Sequence, residues 1–352
     1  MSRVVITGVG MVSSLGVTLP ETFNAICART LPEPPVYRVT SAFDPDYAYQ
    51  LISNTKTLQQ ALLVTAATEA LDDAGWNPTE EQEERSGVVE SFMCAPSLEL
   101  DRTYWLKANG GIGTSNLARL AQFKGPTSCV GVGLQALGLA YNTIKRGEAD
   151  LMVACGASPE IDSKLTEQLK ELGLLGEVCK PFDRNREGMV LGEGSAVLVL
   201  EKLEQALERE TRIYCEVTGF SSVFRPLSLM LADSESSHMK QEQVDYIFAN
   251  CSGTQKGDAS EAVAIKKSFP QAKVTGVKGS LGHTLSAAGL IETGIAATCM
   301  QQEIVPPITP FPDSELDVNF QKGLADEEFN NIMVMSSEFG SLDAVTLKRF
   351  SN

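Results

Sequence analysis

Cysteine and histidine are the side chains best able to act as nucleophile or proton carrier near neutral pH, and this chain uses both sparingly. Its eight cysteines, Cys27, Cys94, Cys129, Cys155, Cys179, Cys215, Cys251 and Cys299, contain no C-x-x-C pair. Zinc-finger spacing is therefore absent, and a disulfide framework is not expected in 352 residues that open without a secretory signal. Most of the cysteines should be reduced and buried as small apolar side chains. There are only two histidines, His238 and His283. His238 lies in SSVFRPLSLMLADSESSHMKQEQ (221–243), a polar stretch without a helical or strand period, and reads as a solvated residue. His283 follows Lys278 in VKGSLGHTLSAAGLIE (277–292), where Gly282, Ala287, Ala288 and Gly289 permit close helix approach.

The elements that must position these groups alternate between short β-rich runs and helical patterns, the signature of a layered α/β fold. VVITGVG (4–10), LMVACGA (151–157), AVLVLEK (196–202), DYIFANC (245–251), VTGVKGS (274–280) and NIMVMSS (331–337) read as buried strands. Several are apolar almost throughout, as strands covered on both faces must be. A helix is expected over 58–75, with Gly75 as its stop, and a second, small and apolar enough to be central, over 134–150. The charged helix EKLEQALERETR (201–212), followed by the strand YCEVTGF (214–220), marks the internal boundary, giving halves 1–205 and 206–352. No sequence repeat relates the two halves, although each carries several strand–helix pairs.

Composition narrows the function classes. With 43% apolar and 21% charged residues the chain can bury a substantial core. No apolar run reaches membrane-span length, and the cytoplasm is the expected compartment. A net charge of −16 argues against binding nucleic acid through a phosphate-neutralising face and against broad docking of an acidic partner; a local basic patch stays open.

Six segments in order resemble the β-ketoacyl-ACP synthases. RVVITGVGMVSSLG (3–16) looks like their opening strand and turn, and FKGPTSCVGVGLQALGLAYNTIKRGEADLMVACGAS (123–158) like their nucleophile region. KPFDRNREGMVLGEGSAVLVLEK (180–202) is similar to their PFD-R-G-GEG-LVLE segment, and DYIFANCSGTQKGDASEAVAIKK (245–267) to the block around HGTGT. VKGSLGHTLSAAGLIE (277–292) resembles the K-GH-AAG block, and SSEFGSLDAVTLKRF (336–350) an eroded GFGGTNA terminus. The resemblance implies a thiolase-type fold, two similar α/β halves stacked as five layers, normally dimeric.

It also implies a chemistry that can be checked residue by residue. Decarboxylative condensation uses a cysteine thiolate at a helix N-terminus and two imidazoles that assist decarboxylation and stabilise developing charge. Aligning Gly133, Ala136 and Gly138 on the C-x-x-G-x-x-A-x-G pattern puts Val130 in the nucleophile's place, with Cys129 one residue early. Moving a gap restores Cys129 to that place; otherwise it is a buried structural cysteine beside an elbow. The first histidine position holds Asn250, whose amide donates hydrogen bonds but carries no proton at neutral pH. Lys278 and His283 survive, either as a relict oxyanion site or for packing. Phe339 and Gly340 fall in the gating loop, where Glu338, Ser341 and Leu342 replace the usual Gly, Gly and Thr. No catalytic residue and no cofactor or metal is expected on this reading.

Within the family, the pattern fits the chain-length factor, the β subunit of type II polyketide synthases. That role implies a heterodimer with a ketosynthase α subunit, a share in shaping the polyketide tunnel, and acyl carrier protein docking mainly on the partner. Tyr104 and Trp105, in the unusual segment 91–124, are candidates for closing a tunnel or packing at the interface. The alternative is a divergent synthase condensing acyl and malonyl groups through Cys129.

Overall fold

The computed structural model describes residues 2–52, 56–94, 108–224, 244–338 and 340–351. The first half contributes β1 (Val4–Ser13), β2 (Val36–Tyr37), β3 (Ser86–Ser91), β4 (Thr127–Val130), β5 (Leu151–Ala157), β6 (Leu191–Gly192) and β7 (Gly194–Lys202). The second contributes β8 (Cys215–Phe224), β9 (Tyr246–Phe248), β10 (Lys273–Thr275), β11 (Asn331–Glu338) and β12 (Ser341–Lys348). β2 and β6 form a separate parallel pair; the other strands run in the order β4-β3-β5-β7-β1 and β8-β12-β11-β9-β10. In each half the first three strands from the outer edge are parallel and the last two joints antiparallel: β4, β3 and β5, then β7 and β1; β10, β9 and β11, then β12 and β8. The duplication invisible in the sequence is thus explicit in the topology. Antiparallel pairing of Val4–Ile6 with Cys215–Val217 joins the halves into one continuous ladder of ten strands.

Two helices lie between the halves. Ala288–Gln302 is buried from Ala288 to Met300 and packs on β1, β5 and β7 of the first half and on β8 and β11 of the second. A helix covered on every side must be apolar or small nearly all round, as AGLIETGIAATCM is apart from Glu292, whose charge is met by Lys278. Its neighbour Gly133–Lys145 likewise touches strands of both halves. Outside, Leu58–Asp73 covers the first sheet through Leu62, Leu63, Ala66 and Ala70, and Gln255–Ser268 covers the second through Ala262 and Ile265. The stack is helix, sheet, paired helices, sheet, helix: the thiolase-type five layers that the resemblance implies.

Several boundaries differ from the sequence reading, for identifiable reasons. The strand expected over 274–280 stops at Thr275, and Lys278–Leu281 is a helical turn that carries Lys278 inward. The central helix ends at Lys145 rather than 150, because Gly147 takes the left-handed conformation, φ 76°. β7 absorbs the start of the charged segment, leaving a helix of only Leu203–Glu208. Residues 221–224 belong to β8, paired with Ser341–Ala344; their polarity hides the strand until its partner is known.

The central layer is held at backbone distance. A Cβ on Gly133 would stand 2.7 Å from the Ser286 carbonyl oxygen, whereas one on Gly131 would meet nothing within 4 Å. Gly133→Ala is therefore expected to lower unfolding stability by about 1–3 kcal/mol through overpacking, with Gly131→Ala close to wild type, as read by chemical denaturation.

Candidate functional site

The elbow between β4 and the central helix decides which side chain faces the site. Successive strand residues point to opposite faces of a sheet. Val130 packs into the core that holds Ala287 and Leu290 of the central layer. Cys129 stands across from Glu90, and Glu90 across from Cys155, whose side chain belongs to the outer core beneath Leu58–Asp73. A Cβ on Gly110 would fall 2.2 Å from Cys129 Sγ, so the thiol rests against the start of the outer helix Gly111–Leu120. Cys129 is exposed on an edge strand, not buried as one reading of the sequence has it. Partial burial of its sulfur, reinforced by Glu90, pushes the thiol up to about 11, whereas a nucleophilic cysteine needs the reverse. Glu90 is itself raised to about 8 by burial, partly offset by the Thr114 N–H it accepts at 2.9 Å.

The second half supplies the remaining positions, and these do converge. Asn250 follows β9 and is 7% exposed; its backbone N–H and that of Cys251 donate to the two oxygens of Glu261, at 2.6 and 2.8 Å. Its Oδ1 accepts from Lys278 Nζ at 3.2 Å. Lys278, almost fully buried, pairs with Glu292 at 2.5 Å. Burial is the largest single influence and would lower the lysine, but the charge and hydrogen bond of Glu292 together with the charges of Cys251 and Glu338 outweigh it and hold the ammonium protonated. His283 is pinned by its backbone, donating to the Val190 carbonyl and accepting from Gly192 N–H. Its Nδ1 accepts the Leu285 N–H at 3.1 Å, which leaves the proton of the neutral ring on Nε2. Burial, and after it the Lys278 charge, drives this imidazole well below its ordinary value, so it stays neutral.

The elbow is brought to this group by the approach of Gly133 to Ser286, three residues beyond His283. Asn250, Lys278 and His283 are linked directly, by the Asn250–Lys278 hydrogen bond and by the Lys278 charge on His283, whereas Val130 is turned to the central layer and Cys129 to the outer one. Phe339, Tyr104, Trp105 and His238 lie outside the described residues. Among the described residues, the arrangement places the Nε2–H of His283, which can hold a carbonyl oxygen, within the electrostatic reach of the buried Lys278 cation.

One residue carries more than the sequence reading gave it. Glu338, treated there only as a lost glycine, ends β11 with its carboxyl buried and electrostatically coupled to Lys278, Glu292 and Asp343. The positive φ of this turn sits at Gly340, 85°. The turn is fastened to the central helix, where Gln135 Nε2 donates to Ser341 Oγ at 2.9 Å. An acid closing a strand whose centre, IMVM, is apolar was the available signal.

The comparisons agree with this frame. Residues 34–206 match the family model "Beta-ketoacyl synthase, N-terminal domain" and residues 227–311 "Beta-ketoacyl synthase, C-terminal domain". The chain is 30% identical to the tetracenomycin polyketide synthase ketoacyl synthase alpha subunit of Streptomyces glaucescens, covering 98% of this chain and 96% of that protein. It is 29% identical to the mitochondrial 3-oxoacyl-[acyl-carrier-protein] synthase of Arabidopsis thaliana, over 96% and 90%. Among solved structures, the ishigamide ketosynthase/chain length factor superposes with a TM-score of 0.86 at 24% identity, covering 99% of this chain and 100% of that one. The complex of AntDE with the carrier AntF gives 0.85 at 22%, again over 99% and 100%. The fold and the residual site thus define a condensing-enzyme scaffold. The chain belongs to the β-ketoacyl synthase family, in its type II polyketide synthase-like part.

Glu338 gives a titration test. Burial first, countered by Lys278, raises it to about 8, so folding favours its protonated form. Its contribution to stability is complete below the unfolded carboxylate range and is lost as pH rises towards 8. Glu338→Gln should flatten the decline in denaturation midpoint between pH 5 and 8, which a series of urea titrations measures.

Proposed function

We propose that this chain is a ketosynthase-like subunit without condensing activity of its own. In this reading it pairs with an active ketosynthase and helps shape the tunnel that sets polyketide chain length. The observation that carries the reading is the elbow: valine is turned to the central layer and the neighbouring thiol to the opposite face of the sheet. Asn250 supports it, because an amide bound to Lys278 cannot replace a proton-shuttling imidazole. The two halves of the fold, 1–205 and 206–352, then act as one scaffold.

The subunit needs a surface for its partner, and β4 supplies one. It is the terminal strand of the order, with Thr127, Ser128 and Cys129 exposed. Val88 and Phe92 donate to the carbonyls of Pro126 and Val130, so the alternate residues Thr127 and Cys129 turn their backbone groups outward. Such an open edge invites pairing with another chain. The named polyketide relatives are ketoacyl synthases, so the family alone does not select this role; Val130 and Asn250 are what support it. Acyl carrier protein would meet the pair mainly on the ketosynthase, in the cytoplasm. Among the described residues no helix is long and apolar enough to cross a membrane.

The competing reading, condensation through Cys129, rests on its exposed thiol. Co-expression with a type II ketosynthase α subunit that carries an intact nucleophilic cysteine should yield a one-to-one complex, and Cys129→Ala in that complex should leave polyketide turnover unchanged. A monodisperse monomer indifferent to the ketosynthase, or turnover abolished by Cys129→Ala, would contradict the proposal.

A further inference from the structure

The outer helix Gln255–Ser268 shows a charge distribution that the chain's composition does not predict. Its two acids are turned inward. Asp258 accepts from Phe182 N–H at 2.6 Å and Gly253 N–H at 3.1 Å, and Glu261 accepts from Asn250 and Cys251. Its exposed charges are lysines alone: Lys256, Lys266 and Lys267. Lys266 pairs with Asp317 at 3.0 Å, whereas Lys256 and Lys267 have no acidic partner among the described residues. Lys256, Ser260, Val263 and Lys267 follow one another at helical spacing, on one face. Between the two free cations Val263 is 55% exposed, enough apolar surface to serve as the centre of a small contact. The helix dipole favours lysines in the last turn but disfavours Lys256 in the first, so helix stability does not account for the pattern.

The inner side of the same helix opens on a cavity of about 40 Å³ lined by Gly257, Ser260, Ala264, Met335 and Leu342 and reaching Asn250. Ser260 belongs to both the stripe and the cavity, so whatever docks on the lysines lies one helix width from the residual site.

We infer that the face Lys256–Val263–Lys267 is a docking surface for an acidic helical protein, the acyl carrier protein of the same synthase. On a chain of net charge −16, most of the surface repels such a partner. Unpaired lysines flanking an exposed apolar residue provide a local attraction and a central contact. The inference rests on the proposed pairing with a ketosynthase and extends it: the carrier touches both subunits rather than the ketosynthase alone.

The test uses the purified complex of this chain with its ketosynthase and the fluorescently labelled holo-carrier, with affinity read by anisotropy at low and high salt. The double variant Lys256→Glu, Lys267→Glu should bind about tenfold more weakly at low salt and lose most of the salt dependence. Val263→Asp should weaken binding as well, while Lys266→Glu, whose charge is already paired, should do less. Gel filtration confirming intact subunit pairing separates these effects from misfolding. Equal affinity of wild type and double variant, or no measurable binding by the wild-type complex, overturns the inference. An acyl adduct on Cys129 with carrier binding still lost in the double variant would instead remove the non-catalytic role and leave the docking surface standing.

Discussion

A residue in a β-strand can serve only one face of its sheet, and in this fold the two faces look onto different layers. At β4 that constraint separates neighbours: Val130 joins the central helices, Cys129 the outer helix Gly111–Leu120. Rotating the thiol inward would require shifting β4 by one residue against β3, carrying Glu90's partner and the hydrogen bonds to Val88 and Phe92 with it. The register is locked by those bonds, and Gly133 then fixes where the helix begins against Ser286. Which of the two side chains, Val130 or Cys129, meets the central layer is thus a property of the whole sheet edge.

Around the vacated position the polar framework is kept. Lys278 and Glu292 form a buried ion pair, and removing one partner of such a pair costs about 3–5 kcal/mol because the other charge is stranded. Retention of Lys278 and His283 therefore needs no catalytic explanation: His283 helps lock residues 190–192 by its backbone, and Lys278 neutralises a carboxylate the central helix cannot expose. Glu338 adds an acid to the same nest, which stays tolerable while that acid is protonated.

Much of the architecture was legible in the sequence. LMVACGA predicted β5 to the residue, and the family segments fixed the layer order because they occur in sequence along the chain. What escaped notice depended on tertiary partners. β3, β4 and β12 are short or half polar, and SGVVES, TSCV and SLDAVTLK become strands through the neighbours that pair with them. The twofold repetition lies in strand order rather than residue identity. Asn250 was readable because Gly253, Thr254, Gly257 and Asp258 anchor the alignment, while the face occupied by Cys129 was not, since a gap could be moved by one residue without violating any local preference. Glu338's coupling to Lys278 links strand β11 to a turn sixty residues away, which no local pattern encodes.

On the proposed reading, this chain keeps the scaffold of its family and presents a methyl-bearing side chain, Val130, and an amide, Asn250, at the positions of the catalytic groups. The most direct measurement is the intact mass of the purified chain after incubation with acyl-loaded carrier protein. The account predicts an unchanged mass. A covalent acyl group on Cys129 that turns over without a companion subunit would contradict it.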